Sequence, residues 1–271
     1  MLQKFKHVFF KPPKKKIGLA LGSGGAKGLA HIGVIKVLER NNIPIDCIAG
    51  TSAGALIGGA YAKTKDIDKI EDIIRESKYR DLIRTFFDPT RSPGLVKGQS
   101  ILEFLEEKIG TADIKDLNIP FQAVATDIKT GNSVIFDKGD LLEAIRASIS
   151  IPILLTPVSK KDKILIDGAF SDPIPANVVK KMGADIVIAV NLNNESIIRD
   201  NKKINSISMT QTIIDLFSYN LSIEKVKEAD IVINPKTTNV SWLKFAGGID
   251  LIQKGEEATL EVLPEIKKLV D

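Results

Sequence analysis

The chain has 271 residues, 44% of them hydrophobic and 27% charged, which is enough to bury one large core, and no stretch reaches the roughly 18 uninterrupted apolar residues of a membrane-spanning helix. The formal charge is +4, but the first sixteen residues hold six lysines and no acid, so the rest of the chain stands at 4 − 6 = −2. That balance excludes a nucleic-acid-binding body, whose folded face would be basic.

Residues 1–16, "MLQKFKHVFFKPPKKK", read as a flexible basic arm, because Pro12 and Pro13 break any long helix and the apolar core of a secretory signal is missing. Lysines interleaved with Phe5, Phe9 and Phe10 suit an anionic membrane surface, and a merely solvated tail is the alternative. Residues 17–271 show no linker or repeat and are expected to form one domain. Cys47 is the sole cysteine, so no internal disulfide can form; a cytoplasmic protein is expected, held at the inner face of a membrane if the arm docks there.

"KIGLAL" predicts a buried strand, followed by a glycine-rich turn and a helix through "GLAHIGVIKVLERNN". "IDCIAG" predicts a second strand, followed by the helix "AGALIGGAYA", and charged helices are expected over residues 66–83 and 99–109. Between those two helices "RTFFDPTRSPGLVKG" reads as an irregular excursion that either covers an active site or plugs the core with Phe86 and Phe87. Further strands are predicted at "PFQAVATD", "SVIF", "KILI", "DIVIAV" and "DIVIN". Helices are predicted at "DLLEAIRAS", "IPANVVKKM", "TQTIIDLFSYNLSIEKVKEA" and "EEATLEVLPEIKKLV". The alternation implies an α/β fold with a mainly parallel sheet and helices on both faces.

Three places carry chemistry. Gly22, Gly24, Gly25 and Gly28 lie between a strand and a helix, where backbone N–H groups can converge on an anion. That anion could be a dinucleotide pyrophosphate or the oxyanion of acyl transfer. The second strand begins, rather than ends, with its acid, Asp46, which favours the oxyanion. Gly50-Thr51-Ser52-Ala53-Gly54 is a Gly-x-Ser-x-Gly turn between strand and helix, with Ser52 as nucleophile and the Ala53 N–H as an oxyanion donor; a plain helix cap is the alternative. Only His7 and His31 are present and both precede Ser52, which excludes the serine, acid, histidine order of α/β-hydrolases. His31 reads as a packed or capping residue. A carboxylate must therefore act as base, and Asp167, at the end of "KILID" and followed by Gly168, is the candidate, while Asp172 before Pro173 reads as a helix cap.

These motifs resemble those of the patatin-like phospholipases, in particular the bacterial members, and the resemblance extends through "HIGVIKVLE", "AVATDIKTG", "AIRASISIPILLTPV" and "DIVIAVNL". The family's Gly-Gly-Gly-x-Arg/Lys-Gly motif falls on Ser23, Gly24, Gly25, Ala26, Lys27 and Gly28, with Ser23 in place of the first glycine and Ala169 in place of the second glycine of Asp-Gly-Gly. The resemblance implies a three-layer α/β/α fold and hydrolysis of fatty-acyl esters of phospholipids or lysophospholipids by a Ser52–Asp167 dyad, with Gly24, Gly25 and Ala53 as oxyanion hole and no metal or cofactor. Lys27, a cation in the first turn of a helix, opposes the dipole and is expected either to meet an anion near the site or to extend into water. Two other classes stay open: a nucleotide-binding protein using the glycine loop, and a non-enzymatic membrane-associated module.

Overall fold

The structure, a computed structural model, describes residues 14–76, 98–152, 154–194, 206–237 and 248–270. The described strands are β1 (Ile17–Leu21), β2 (Cys47–Thr51), β3 (Phe121–Asp127), β4 (Ser133–Phe136), β5 (Val158–Lys160), β6 (Lys163–Asp167), β7 (Ile186–Val190) and β8 (Ile231–Ile233). The described helices are α1 (Ala30–Arg40), α2 (Ala53–Thr64), α3 (Ile67–Glu76), α4 (Gln99–Ile109), α5 (Leu141–Ser148), α6 (Ala176–Lys181), α7 (Ser206–Lys225) and α8 (Gly248–Val270). The first thirteen residues of the basic arm and the excursion with Phe86 and Phe87 lie outside the described residues. Lys16 N–H donates to Asp185 Oδ2 at 2.8 Å, beside the first strand.

All the strands join one sheet in the order β5-β6-β3-β2-β1-β7-β8, with β4 also paired to β3. β1, β2 and β7 are buried at every residue, as strands covered on both faces must be, and β1 and β7 read as unbroken apolar runs. The body β3-β2-β1-β7-β8 is parallel, as expected, whereas β4, β5 and β6 pair antiparallel. For β4 on β3 and for β5 on β6 the reason is connection length. A short turn through Gly131 returns the chain from β3 as β4, and a two-residue turn at Lys161 and Asp162 joins β5 to β6; neither leaves room for the crossover a parallel pair needs.

Side chains alternate between two cores. Ile17, Leu19 and Leu21 of β1, with Ile48 and Ile188, pack into the larger cluster together with α1, α2, α4, α5 and α8. Ala20, Ala49, Val124, Val187 and Ala189 face the smaller cluster, closed by Val178 and Val179 of α6. Helix, sheet, helix is the layer order expected. Cys47, in that smaller cluster, is buried and free.

The site is set by how β3 is shared. Ala123 and Val124 pair with both β2 and β4, and Ala125 and Thr126 pair with both β4 and β6. A strand has two edges, so β2 and β6 occupy the same edge of β3 in succession, running toward each other. Thr51 pairs with Val124 and Asp167 with Ala125, so the ends of the two strands meet at consecutive positions. β2 cannot continue past Thr51 because β6 already holds the next place.

Candidate active site

The chain therefore turns sharply at Ser52, which takes φ 55 and ψ −119, a conformation that L residues rarely adopt. Its strained backbone is held by Ser148, whose Oγ accepts the Ser52 N–H at 2.9 Å and donates to the Val124 carbonyl at 2.6 Å. Helix α2 starts at the next residue, and a Cβ on Gly54 would run into the Leu21 carbonyl, so a glycine here lets the helix start against β1. Ser52 sits at the N-cap, yet its hydroxyl makes no capping bond. It donates instead to Asp167 Oδ2 at 2.6 Å, with both residues buried.

Asp167 is fixed from two sides: its N–H donates to the Ser150 carbonyl at 3.0 Å, and its Oδ1 accepts the Ala169 N–H at 2.9 Å. Burial raises its carboxyl to about 7, against the lowering effect of the Ser52 and Ala169 hydrogen bonds. A carboxyl balanced near neutrality can accept a proton from a hydroxyl and return it.

The glycine turn forms the facing wall of a cleft lined by Ser23, Gly24, Gly25, Ser52, Asp167 and Asn193, among others. Of its four glycines Gly25 alone takes a left-handed φ, 56, while Gly28 lacks the Cβ that would collide with Ala53 Cβ, which packs the turn against the start of α2. The N–H groups of Gly24, Gly25 and Ala53 donate to no acceptor among the described residues. Gly22 N–H donates to the Val190 carbonyl, and the Gly22 carbonyl accepts from His31 Nε2 at 2.8 Å. Thus His31, fully buried and with its imidazole pushed down to about 4 by desolvation, pins the turn as a neutral ring. Lys27 lies in the short 3₁₀ turn Gly25–Leu29 that precedes α1.

One expectation needs correction. Asp172 does not cap a helix: α6 starts at Ala176 behind Pro175, because the Asp172-Pro173-Ile174-Pro175 run cannot enter a helix earlier. The buried Asp172 carboxylate instead lies 3.4 Å from Lys225 Nζ at the end of α7, while its carbonyl accepts from Thr51 Oγ1 at 2.7 Å. Asp46, the candidate ribose acid, accepts the Ile17 N–H at 2.7 Å, at the opposite end of the sheet from the glycine turn.

Sequence reasoning missed Ser148, Ser150, Asn193 and the contribution of α7. Asn193 follows the C-terminal end of β7, where open α/β sheets place their ligands, and that signal was available. Helix α7 supplies Asp215 and Ser218 to the cleft, and Phe170 of the cleft wall packs on Phe217 at 6.1 Å between ring centres. Its polarity is inverted: Ser218 and Ser222 are buried, whereas Met209, Ile213, Leu216 and Ile223 recur at helical spacing and are exposed. Among the described residues no group of three or more His, Cys, Asp or Glu could hold a metal ion, and no helix is long and apolar enough to cross a membrane.

Fold and site together define an α/β protein that holds a serine hydroxyl on a buried carboxylate beside a turn of unpaired backbone amides. The model of the patatin-like phospholipase family matches residues 19–180, more than half of the chain, and the chain belongs to that family. It is 39% identical over 178 residues to an uncharacterized NTE family protein of Mycobacterium tuberculosis, a match covering 66% of this chain and 49% of that one. It is 35% identical over 181 residues to lysophospholipase NTE1 of Candida albicans, covering 66% of this chain and 13% of that one. The chain thus aligns with half or less of the length of these curated relatives. The crystal structure of VipD from Legionella pneumophila shares the fold with a TM-score of 0.55 at 14% identity, covering 94% of this chain and 67% of that one.

Proposed function

We propose that the protein hydrolyses fatty-acyl ester bonds of phospholipids or lysophospholipids through an acyl-enzyme. The observation that carries the reading is the buried 2.6 Å hydrogen bond from Ser52 Oγ to Asp167 Oδ2. Asp167 takes the Ser52 proton as Oγ attacks the acyl carbonyl, and the N–H groups of Gly24, Gly25 and Ala53 receive the oxyanion. The proton returns to the leaving alkoxide, and a water activated by the same carboxylate releases the fatty acid. The names of the NTE1 lysophospholipase and of the family support the choice of a lipid ester. The outward apolar face of α7, on the helix that also walls the cleft, supports a substrate drawn from a lipid aggregate, with the basic arm as a second contact to an anionic surface.

A fluorescent alkyl phosphonate, which forms a covalent bond to an activated serine, tests this. Wild type is expected to be labelled, Ser52→Ala not at all, and Asp167→Asn on the order of 10²- to 10⁴-fold more slowly, the usual contribution of a general base. Undiminished labelling of Ser52→Ala would falsify the assignment of the nucleophile.

A further inference from the structure

Ser23 stands between β1 and the Gly24–Gly25 turn, is 4% exposed, and lines the cleft with Ser52 and Asp167. Its N–H donates to the Pro173 carbonyl at 2.8 Å, which locks the backbone. Asn193 reaches it through one terminal atom of its side-chain amide, 3.3 Å from the Ser23 carbonyl and 3.3 Å from Ser23 Oγ. A carbonyl can only accept, so that atom is the amide nitrogen, and the same nitrogen must donate to Oγ as well. Asn193 is itself held in place, since its N–H donates to Asn191 Oδ1 at 2.9 Å.

The consequence is directional. With a lone pair of Ser23 Oγ taken up by Asn193, the hydroxyl proton has to be given elsewhere, and it meets no acceptor among the described residues. A buried hydroxyl left with an unused proton is uncommon, because an unmade buried hydrogen bond leaves the desolvation of the group uncompensated. Here the cleft itself is where an acceptor would arrive. A glycine at this position would leave only backbone N–H groups, so the hydroxyl adds a donor that the turn alone lacks.

We infer that Ser23 is a substrate-contacting residue: its hydroxyl donates to the acyl carbonyl oxygen as negative charge builds there, beside the Gly24 N–H, and Asn193 is the positioning residue that aims it. The inference rests on the reading of Ser52 and Asp167 given above. No proton is transferred by Ser23; the hydrogen bond strengthens in the tetrahedral intermediate and relaxes when it collapses.

The test uses the full chain with p-nitrophenyl butyrate as substrate and an alkyl trifluoromethyl ketone as analogue of the tetrahedral state. Ser23→Ala and Ser23→Gly are each expected to lower kcat on the order of 10²-fold while KM changes by about twofold or less, the pattern of an interaction made in the transition state. Affinity for the ketone should fall by the same factor as kcat/KM, which a purely structural role would not produce. Asn193→Ala, which frees the hydroxyl to turn, is expected to fall between these variants and wild type. Wild-type kcat and ketone affinity in either Ser23 variant overturn the inference, and the glycine variant answers if the alanine variant fails to fold. Ser52→Ala separates the layers: if it is inactive while Ser23→Ala matches wild type, the Ser23 role alone falls, and if it still turns over ester, the underlying reading falls with it.

Discussion

Burial at one carboxyl sets the pH response. With Asp167 at about 7 in the fold and His31 at about 4, an activity limb near neutrality belongs to the carboxylate and not to a histidine. As the proposed base, Asp167 must be ionised to accept a proton, so kcat/KM for a neutral ester is expected to rise with pH through about 7 and level off above it; a profile flat from about pH 5 to 9 would remove Asp167 as base. Stability runs the other way. The folded pKa lies above the unfolded value of about 3.9, so the contribution is fully present below about pH 3.9 and is lost as pH rises through about 7. Asp172, raised to about 6 chiefly by desolvation, adds in the same direction. Asp167→Asn can keep both hydrogen bonds, its amide oxygen to Ala169 and its nitrogen to Ser52, without burying a charge. Urea unfolding is therefore expected to find this variant more stable than wild type at about pH 8, by on the order of 1 to 3 kcal/mol, with the gap closing at about pH 5.

For elements, glycines decide how closely helices approach. α1 and α8 cross at Gly33 and Gly255: a Cβ on Gly33 would meet the Ile252 carbonyl, and one on Gly255 the Ala30 carbonyl. An alanine in an exposed helix interior gains roughly 1 kcal/mol over glycine. At this crossing the sign reverses, because the added carbon strikes backbone that cannot rotate away. Gly33→Ala and Gly255→Ala are each expected to lower stability by about 1–3 kcal/mol, seen as a lower Tm in thermal unfolding; an unchanged or raised Tm would show that the helices can separate at no cost. Because α1 also carries His31, which holds the Gly22 carbonyl, Gly33→Ala should lower kcat as well.

Across the molecule, α7 stands apart, since Met209, Ile213, Leu216 and Ile223 face out while Ser218 and Ser222 face in. Ile213→Ser and Leu216→Ser, at positions 58% and 45% exposed, are expected to change stability by no more than about 0.5 kcal/mol, whereas Ile188→Ser on β7 should cost several kcal/mol; denaturant midpoints measure both. This inversion also marks a limit of sequence reading. Periodicity found α7 as a helix but could not say which side faces the core. Strand and helix order, the buried runs of β1, β2 and β7, and the positions of Ser52 and Asp167 were legible, because apolar pattern and turn residues are local properties. The antiparallel strands, the ion pair of Asp172 with Lys225 and the support from Ser148 and Asn193 were not, because each depends on which distant segments share an edge or a cleft.

The meeting of β2 and β6 along one edge of β3 has a consequence for inactivation by heat. Thr51, which carries Ser52 at its end, and Asp167 are held at consecutive positions of a strand bonded on both sides, so fraying at the periphery leaves the separation of hydroxyl and carboxylate untouched. Catalytic power should survive warming undiminished and then vanish in the same narrow interval as the far-ultraviolet signal of the sheet. A progressive decline well before that interval would reveal a scaffold softer than this arrangement demands.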